Sequence, residues 1–119
     1  MAYNGAMSGA LITVAETPLF LRQAEKVWSE AEREGFVSFI AANPEAGDVI
    51  PDTGGVRKVR WSRTGSGKRG GARVIYYYCD GRRPLYLLLV YAKSRQENLS
   101  ADEKREIRRF AAIIKGRGR

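Results

Sequence analysis

The chain has 119 residues, 44% of them hydrophobic, and a formal net charge of +8 from 21 Lys and Arg against 13 Asp and Glu. That length and apolar content suit one domain with its own core. A single cysteine, Cys79, and the absence of histidine exclude an intramolecular disulfide, a cysteine metal cluster and the commonest acid–base catalyst near neutral pH.

The N-terminal residues MAYNGAMSGAL lack the basic and long apolar regions of a signal peptide, and residues 1–9 read as a flexible extension. Ala10–Glu16 is short, β-branched and alternating, so a first strand is expected there. Thr17-Pro18 is a helix start, with proline at the first helical position. Leu19, Phe20, Ala24 and Val27 then recur at helical spacing, which predicts a helix over Pro18–Trp28. Ser29 and Glu32 have capping-box spacing and open a second helix. Its apolar face is Phe36, Val37, Phe39, Ile40 and Ala41, and Asn43-Pro44 ends it. Residues 43–55 read as a turn-rich connection.

Three strands follow in a row: Val56–Trp61, Arg73–Cys79 and Leu85–Tyr91. Between the first two lies a loop of glycines and cations, among them Arg63, Lys68 and Arg69. It has little to pack, and its charges belong in water or against an anion. Asp80-Gly81, lengthened by Arg82, Arg83 and Pro84, marks a hairpin turn. The third strand is apolar on both faces and is expected inside the sheet. Ser100 and Glu103 form a second capping box, opening a last helix with Ile107, Phe110, Ala111, Ile113 and Ile114 on its apolar side. The order β-α-α-β-β-β-α predicts an α+β domain over residues 10–116, with a basic tail at 117–119. About four mainly antiparallel strands are expected, with the helices on one side.

The charge is uneven. Residues 1–55 carry three cations against eight acids, and residues 56–119 carry 18 cations against five acids. That asymmetry points to a polyanionic partner for the second half. GSGKRGG is not a nucleotide-phosphate loop: Arg69, not Ser or Thr, follows Lys68, the upstream glycine position falls at Ser62, and the loop joins strand to strand. A serine hydrolase would lack its base. The acids of the basic half are Asp80, Glu97, Asp102, Glu103 and Glu106, three of them explained by a helix start, so no metal or other cofactor is expected. Cations and tyrosines remain. Alternation puts Lys58 and Arg60 on one face of their strand and Val59 and Trp61 on the other. Arg73, at the edge of the core where the glycine loop meets the second strand, shares a face with Ile75 and Tyr77. Tyr91 and Lys93 share a face at the end of the third strand. Such groups can cradle a phosphate and stack a base. For Tyr76–Tyr78 and for Arg82 and Arg83, ordinary sheet packing and a solvated turn are the simpler accounts.

NPEAGDVIPDTGGVRKVRW, GKRGGARVIYYY and LLLVYAK together resemble the RelE/ParE superfamily of bacterial type II toxins, specifically its HigB-like branch, over about residues 11–115. The resemblance implies a small, basic, cytoplasmic toxin with a RelE-like fold. It implies entry into the 30S ribosomal A site and cleavage of mRNA there, and a cognate antitoxin, a HigA-like helix-turn-helix protein. The implied reaction is metal-free: the 2′-hydroxyl of the RNA attacks the adjacent phosphate and the 5′-oxygen leaves. Carried over position by position, two basic residues before the loop match Lys58 and Arg60, and the arginine opening the next strand matches Arg73. The arginine after the last strand falls at Ser94, and the late tyrosine has no equivalent near Leu99 or Ser100, which leaves Tyr91, Lys93 or Arg95 as substitutes. The catalytic candidates are therefore Lys58, Arg60, Arg73, Tyr91 and Lys93, with Lys58 as base and Arg73 as phosphate clamp. Arg57, Arg63, Lys68, Arg69 and Arg95 are candidates for RNA binding. Two other readings share the features on the page: a ParE-like inhibitor of DNA gyrase, and an RNA-binding module without chemistry.

Overall fold

The computed structural model describes residues 12–61, 71–93 and 98–117. Its elements are β1 (Val14–Glu16), α1 (Pro18–Val27), α2 (Glu30–Ala42), β2 (Asp48–Val49), β3 (Val56–Trp61), β4 (Ala72–Tyr77), β5 (Leu85–Ala92) and α3 (Ala101–Arg117). They build an α+β fold on one five-stranded sheet ordered β1-β5-β4-β3-β2. β1 runs parallel to β5, and the remaining pairs are antiparallel.

Local chemistry accounts for most boundaries. The Thr17 side chain accepts from the Phe20 N–H to open α1, and its hydroxyl donates to the Leu87 carbonyl at 2.8 Å. One residue thus caps a helix and ties it to the sheet. The capping boxes at Ser29/Glu32 and Ser100/Glu103 both form, and each such cap contributes about 1 kcal/mol. β1 covers β5 only as far as Leu87. Beyond it Gln23 of α1 reaches down, its Oε1 accepting from the Val90 N–H at 3.0 Å, so the edge of β5 stays satisfied where its strand partner stops.

The sheet carries helices on both faces, not on one as the element order suggests. Phe20, Ala24, Phe36 and Ile40 of α1 and α2 pack on Val59, Ala72, Val74, Tyr76, Leu85, Leu87 and Val90. On the other face Ile107 and Ala111 of α3 pack on Val56, Ile75, Tyr77, Leu88 and Leu89. The alternation of β4 decides this: all six of its residues are buried, and a strand apolar on both faces needs cover on both. A register shift between Ile75 and Tyr76 leaves Leu88 as an extra residue, and this bulge turns both Leu88 and Leu89 toward α3.

Two further differences come from the connections. The segment read as turns contains β2, whose Asp48 and Val49 pair with Lys58 and Arg57, giving a fifth strand. β4 ends at Tyr77 because the chain turns at Asp80, whose carboxylate accepts from the Arg82 N–H at 2.9 Å. The turn into β3 is built on Thr53, fully buried, whose hydroxyl donates to Ile50 O at 2.7 Å and accepts from Val56 N at 3.1 Å. Gly54 and Gly55, at φ of 81° and 109°, take the left-handed conformations that this turn requires.

Candidate active site

The register of β3, β4 and β5 assembles the site. Lys58 pairs with Ile75, Arg60 with Arg73, and Arg73 in turn with Tyr91. Directly paired residues of adjacent strands project to the same face, so Lys58, Arg60, Arg73 and Tyr91 lie on the face that carries α3. The helix covers the other half of that face, over Val56, Ile75 and Tyr77. The cationic half lies at the end where β3 finishes, β4 begins and β5 finishes. Trp61 pins this end from behind, its ring 5.5 Å from Phe36 and 4.8 Å from Phe39.

Burial grades the cations. Arg60 is exposed and Lys58 half-buried. Arg73, expected at the edge of the core, is only 3% exposed, on a strand whose other residues are all apolar or aromatic. Two arginines directly opposed on adjacent strands work against stability, and an anion between them reverses that sign. Lys58 is held from the side: its Nζ donates to Asn98 Oδ1 at 3.1 Å, from the segment leading into α3. Lys93 is exposed in the turn after β5, and its N–H donates to Gly71 O at 3.1 Å, which holds the ends of β4 and β5 together.

Arg57 is not brought to this cluster. It lies on the opposite face, paired with Tyr76, and its guanidinium donates to Gly47 O at 2.7 Å. Arg63, Lys68, Arg69 and Arg95 lie outside the described residues. Among the described residues no group of three carboxylates or thiols is placed to hold a metal ion.

Two residues that sequence reasoning missed support the site. Asn98 is one. Gly47 is the other: a Cβ there would sit 2.7 Å from the Lys58 carbonyl oxygen and 3.0 Å from Tyr76 Cε1. The Gly47 N–H donates to the Tyr76 hydroxyl, which itself donates to Pro44 O, both at 2.8 Å. Burial pushes the Tyr76 phenol up, against the smaller lowering by its bond from Gly47. The phenol stays neutral and clamps the 44–47 turn against the back of β3. The NPEAG segment carries the only signal for this, a glycine in an otherwise unremarkable turn.

Residues 37–118 match the family model described as the RelE toxin of the RelE/RelB toxin-antitoxin system. The chain belongs to the RelE toxin family. Membership makes it the toxin of a toxin–antitoxin pair and implies a cognate antitoxin. The matched span runs from within α2 to the end of α3 and includes every candidate site residue. Among solved structures, the chain is similar to the E. coli toxin RelE, a double arginine-to-alanine mutant in the free state. The TM-score is 0.52 over 73% of this chain and 88% of that one, at 15% sequence identity. At that identity the likeness carries the fold alone. Among the described residues no helix is long and apolar enough to cross a membrane.

Proposed function

We propose that this RelE-family toxin is a ribosome-dependent mRNA endonuclease of the HigB-like branch, working without a metal ion in the bacterial cytoplasm. The observation that carries the reading is the opposition of Arg60 and buried Arg73, flanked by Lys58 and Tyr91 on the same face. Phosphoryl transfer gathers negative charge on the equatorial oxygens, and preorganised donors stabilise it, each contributing roughly 10²–10³ in rate. Arg73, buried and forked, is the phosphate clamp. Lys58, as the base, takes the proton of the 2′-hydroxyl as that oxygen bonds to phosphorus. The bond to the 5′-oxygen breaks, leaving a 2′,3′-cyclic phosphate, and Tyr91 or Lys93 at the end of β5 protonates the leaving oxygen. Arg60, with Arg63, Lys68, Arg69 and Arg95, binds RNA backbone, whereas the contacts of Arg57 favour a structural role.

The toxin's partners in this reading are the 30S A site, mRNA and a HigA-like helix-turn-helix antitoxin whose acidic segment covers or distorts the basic face. The test is purified translation of one defined mRNA with the toxin, followed by mapping of the cut ends, with and without chelator at constant ribosome integrity. Ribosome-dependent cuts within codons, unchanged by chelation beyond its effect on ribosomes, are expected. Intact mRNA with gyrase inhibition would support a ParE-like toxin instead. Intact mRNA with RNA binding alone would leave a module without chemistry.

A further inference from the structure

Lys58 projects from a strand on a four-carbon stem with high rotamer freedom, yet its Nζ is held 3.1 Å from Asn98 Oδ1, forty residues further along the chain. Asn98 is two residues before Ser100, whose capping box with Glu103 fixes the start of α3. That helix is anchored by Ile107 and Ala111 in the core and by Arg108 donating to Asp52 O at 3.0 Å. The acceptor is thus mounted next to a rigid element, where a positioning group is most effective.

Its chemistry matters as much as its place. On the face of Lys58 the register places Asp48 of β2, Arg60 of its own strand, Arg73 and Tyr77 of β4 and Tyr91 of β5, and Asn98 reaches it from the segment before α3. Asp48 is directly opposite Lys58, so a carboxylate lies in register, but the hydrogen bond goes to the amide. A carboxylate partner would hold the proton on Lys58 and add negative charge beside the phosphate. An amide oxygen orients the amine, holds its proton far more weakly than a carboxylate would and adds no net charge.

We propose that Asn98 is a positioning residue of the cleavage centre, aiming Lys58 through a neutral acceptor so that the amine can take a proton beside an anionic substrate. This rests on the reading of Lys58 as the base. Single-turnover cleavage on programmed ribosomes is measured across pH for wild type, Asn98→Ala, Asn98→Asp, Lys58→Ala and the Lys58→Ala/Asn98→Ala double variant. Ribosome affinity and thermal melting are followed in parallel. Asn98→Ala is expected to slow cleavage by roughly 10- to 100-fold through lost orientation, with ribosome affinity within about twofold. Asn98→Asp keeps an acceptor of the same shape but is expected to be about tenfold slow at neutral pH, recovering as pH rises by about one unit. In the Lys58→Ala background, Asn98→Ala is expected to have no further effect, because the two act as one unit. Wild-type rates and an unmoved pH profile in both Asn98 variants would overturn the proposal, as would an equal loss from Asn98→Ala in the presence and absence of Lys58. A wild-type protein that leaves mRNA intact, or a Lys58→Ala variant that cuts normally, would instead remove the reading of the base, and the proposal with it.

Discussion

Arg73→Ala separates chemistry from packing. Arg73 is 3% exposed, paired across the sheet with Arg60 on one side and Tyr91 on the other. Removing a donor that acts on transition-state charge should slow cleavage by about 10²–10³, or roughly 2.7–4 kcal/mol of barrier. The structural cost is separate. Truncating a buried alkyl stem costs about 1–3 kcal/mol, and relief of the like charge opposite, at Arg60, returns roughly 0.2–1 kcal/mol. These two effects leave a net cost of about 0–3 kcal/mol, to which loss of the guanidinium's own contacts adds, so the melting temperature should fall by several degrees or more. Arg73→Lys keeps the charge and most of the stem, but a point charge cannot reproduce a two-pronged contact. It should be nearly as stable as wild type and cleave at an intermediate rate. The assay is single-turnover cleavage on programmed ribosomes, with thermal melting as the fold control and ribosome affinity as the binding control. Affinity should fall far less than rate, because other cations share the RNA backbone. A folded Arg73→Ala protein that cleaves at the wild-type rate would refute the clamp and move suspicion to Lys93 and Arg95.

Tyr76→Phe should destabilise the fold by about 1–3 kcal/mol, since it leaves the Gly47 N–H and the Pro44 carbonyl without their shared partner. Burial raises the Tyr76 phenol above its ordinary value near 10. Its neutral form therefore favours the fold fully below about pH 10, and that contribution is lost as pH rises toward the raised value. Tyr77 is raised the same way, mainly by burial and then by Cys79, so urea melts either side of about pH 10 should show Tyr76→Phe flattening part of the alkaline loss. Gly47→Ala places a methyl group 2.7 Å from the backbone oxygen of Lys58. It should cost about 1–3 kcal/mol and lower cleavage with it, and an alanine variant that melts and cuts like wild type would show that β2 does not sit so tightly on β3. Association with ribosomes should weaken steeply between low and physiological salt, and a flat salt response in a binding titration would argue against RNA backbone as the partner of the basic half.

Much of this was legible in the chain because the signals are local. The capping boxes at Ser29/Glu32 and Ser100/Glu103, and Thr17-Pro18, mark helix starts by side chains that reach only three residues. The alternation in Val56–Trp61 fixes which residues share a face whatever the neighbouring strands do, so Lys58 and Arg60 were together before any pairing was known. The segments around Asn43–Lys93 carry the family. The tertiary structure decided the rest, for reasons of long range. β2 is two residues whose only reason to be extended is pairing with Lys58 and Arg57, and no propensity marks so short a strand. A strand apolar on both faces does not say which helix covers which, so the division of α1 and α2 from α3 waited on packing. Parity alone gave Arg73 a face along its strand, but its opposition to Arg60 and Tyr91 is a matter of register, which a one-residue slip would reverse. Its burial follows from that register. Gly47 and Asn98 read as ordinary loop residues, because what makes them matter is the approach of Lys58, eleven residues away from one and forty from the other. Covalent order fixes what a side chain can do, and only the folded chain decides which side chains stand within reach of it.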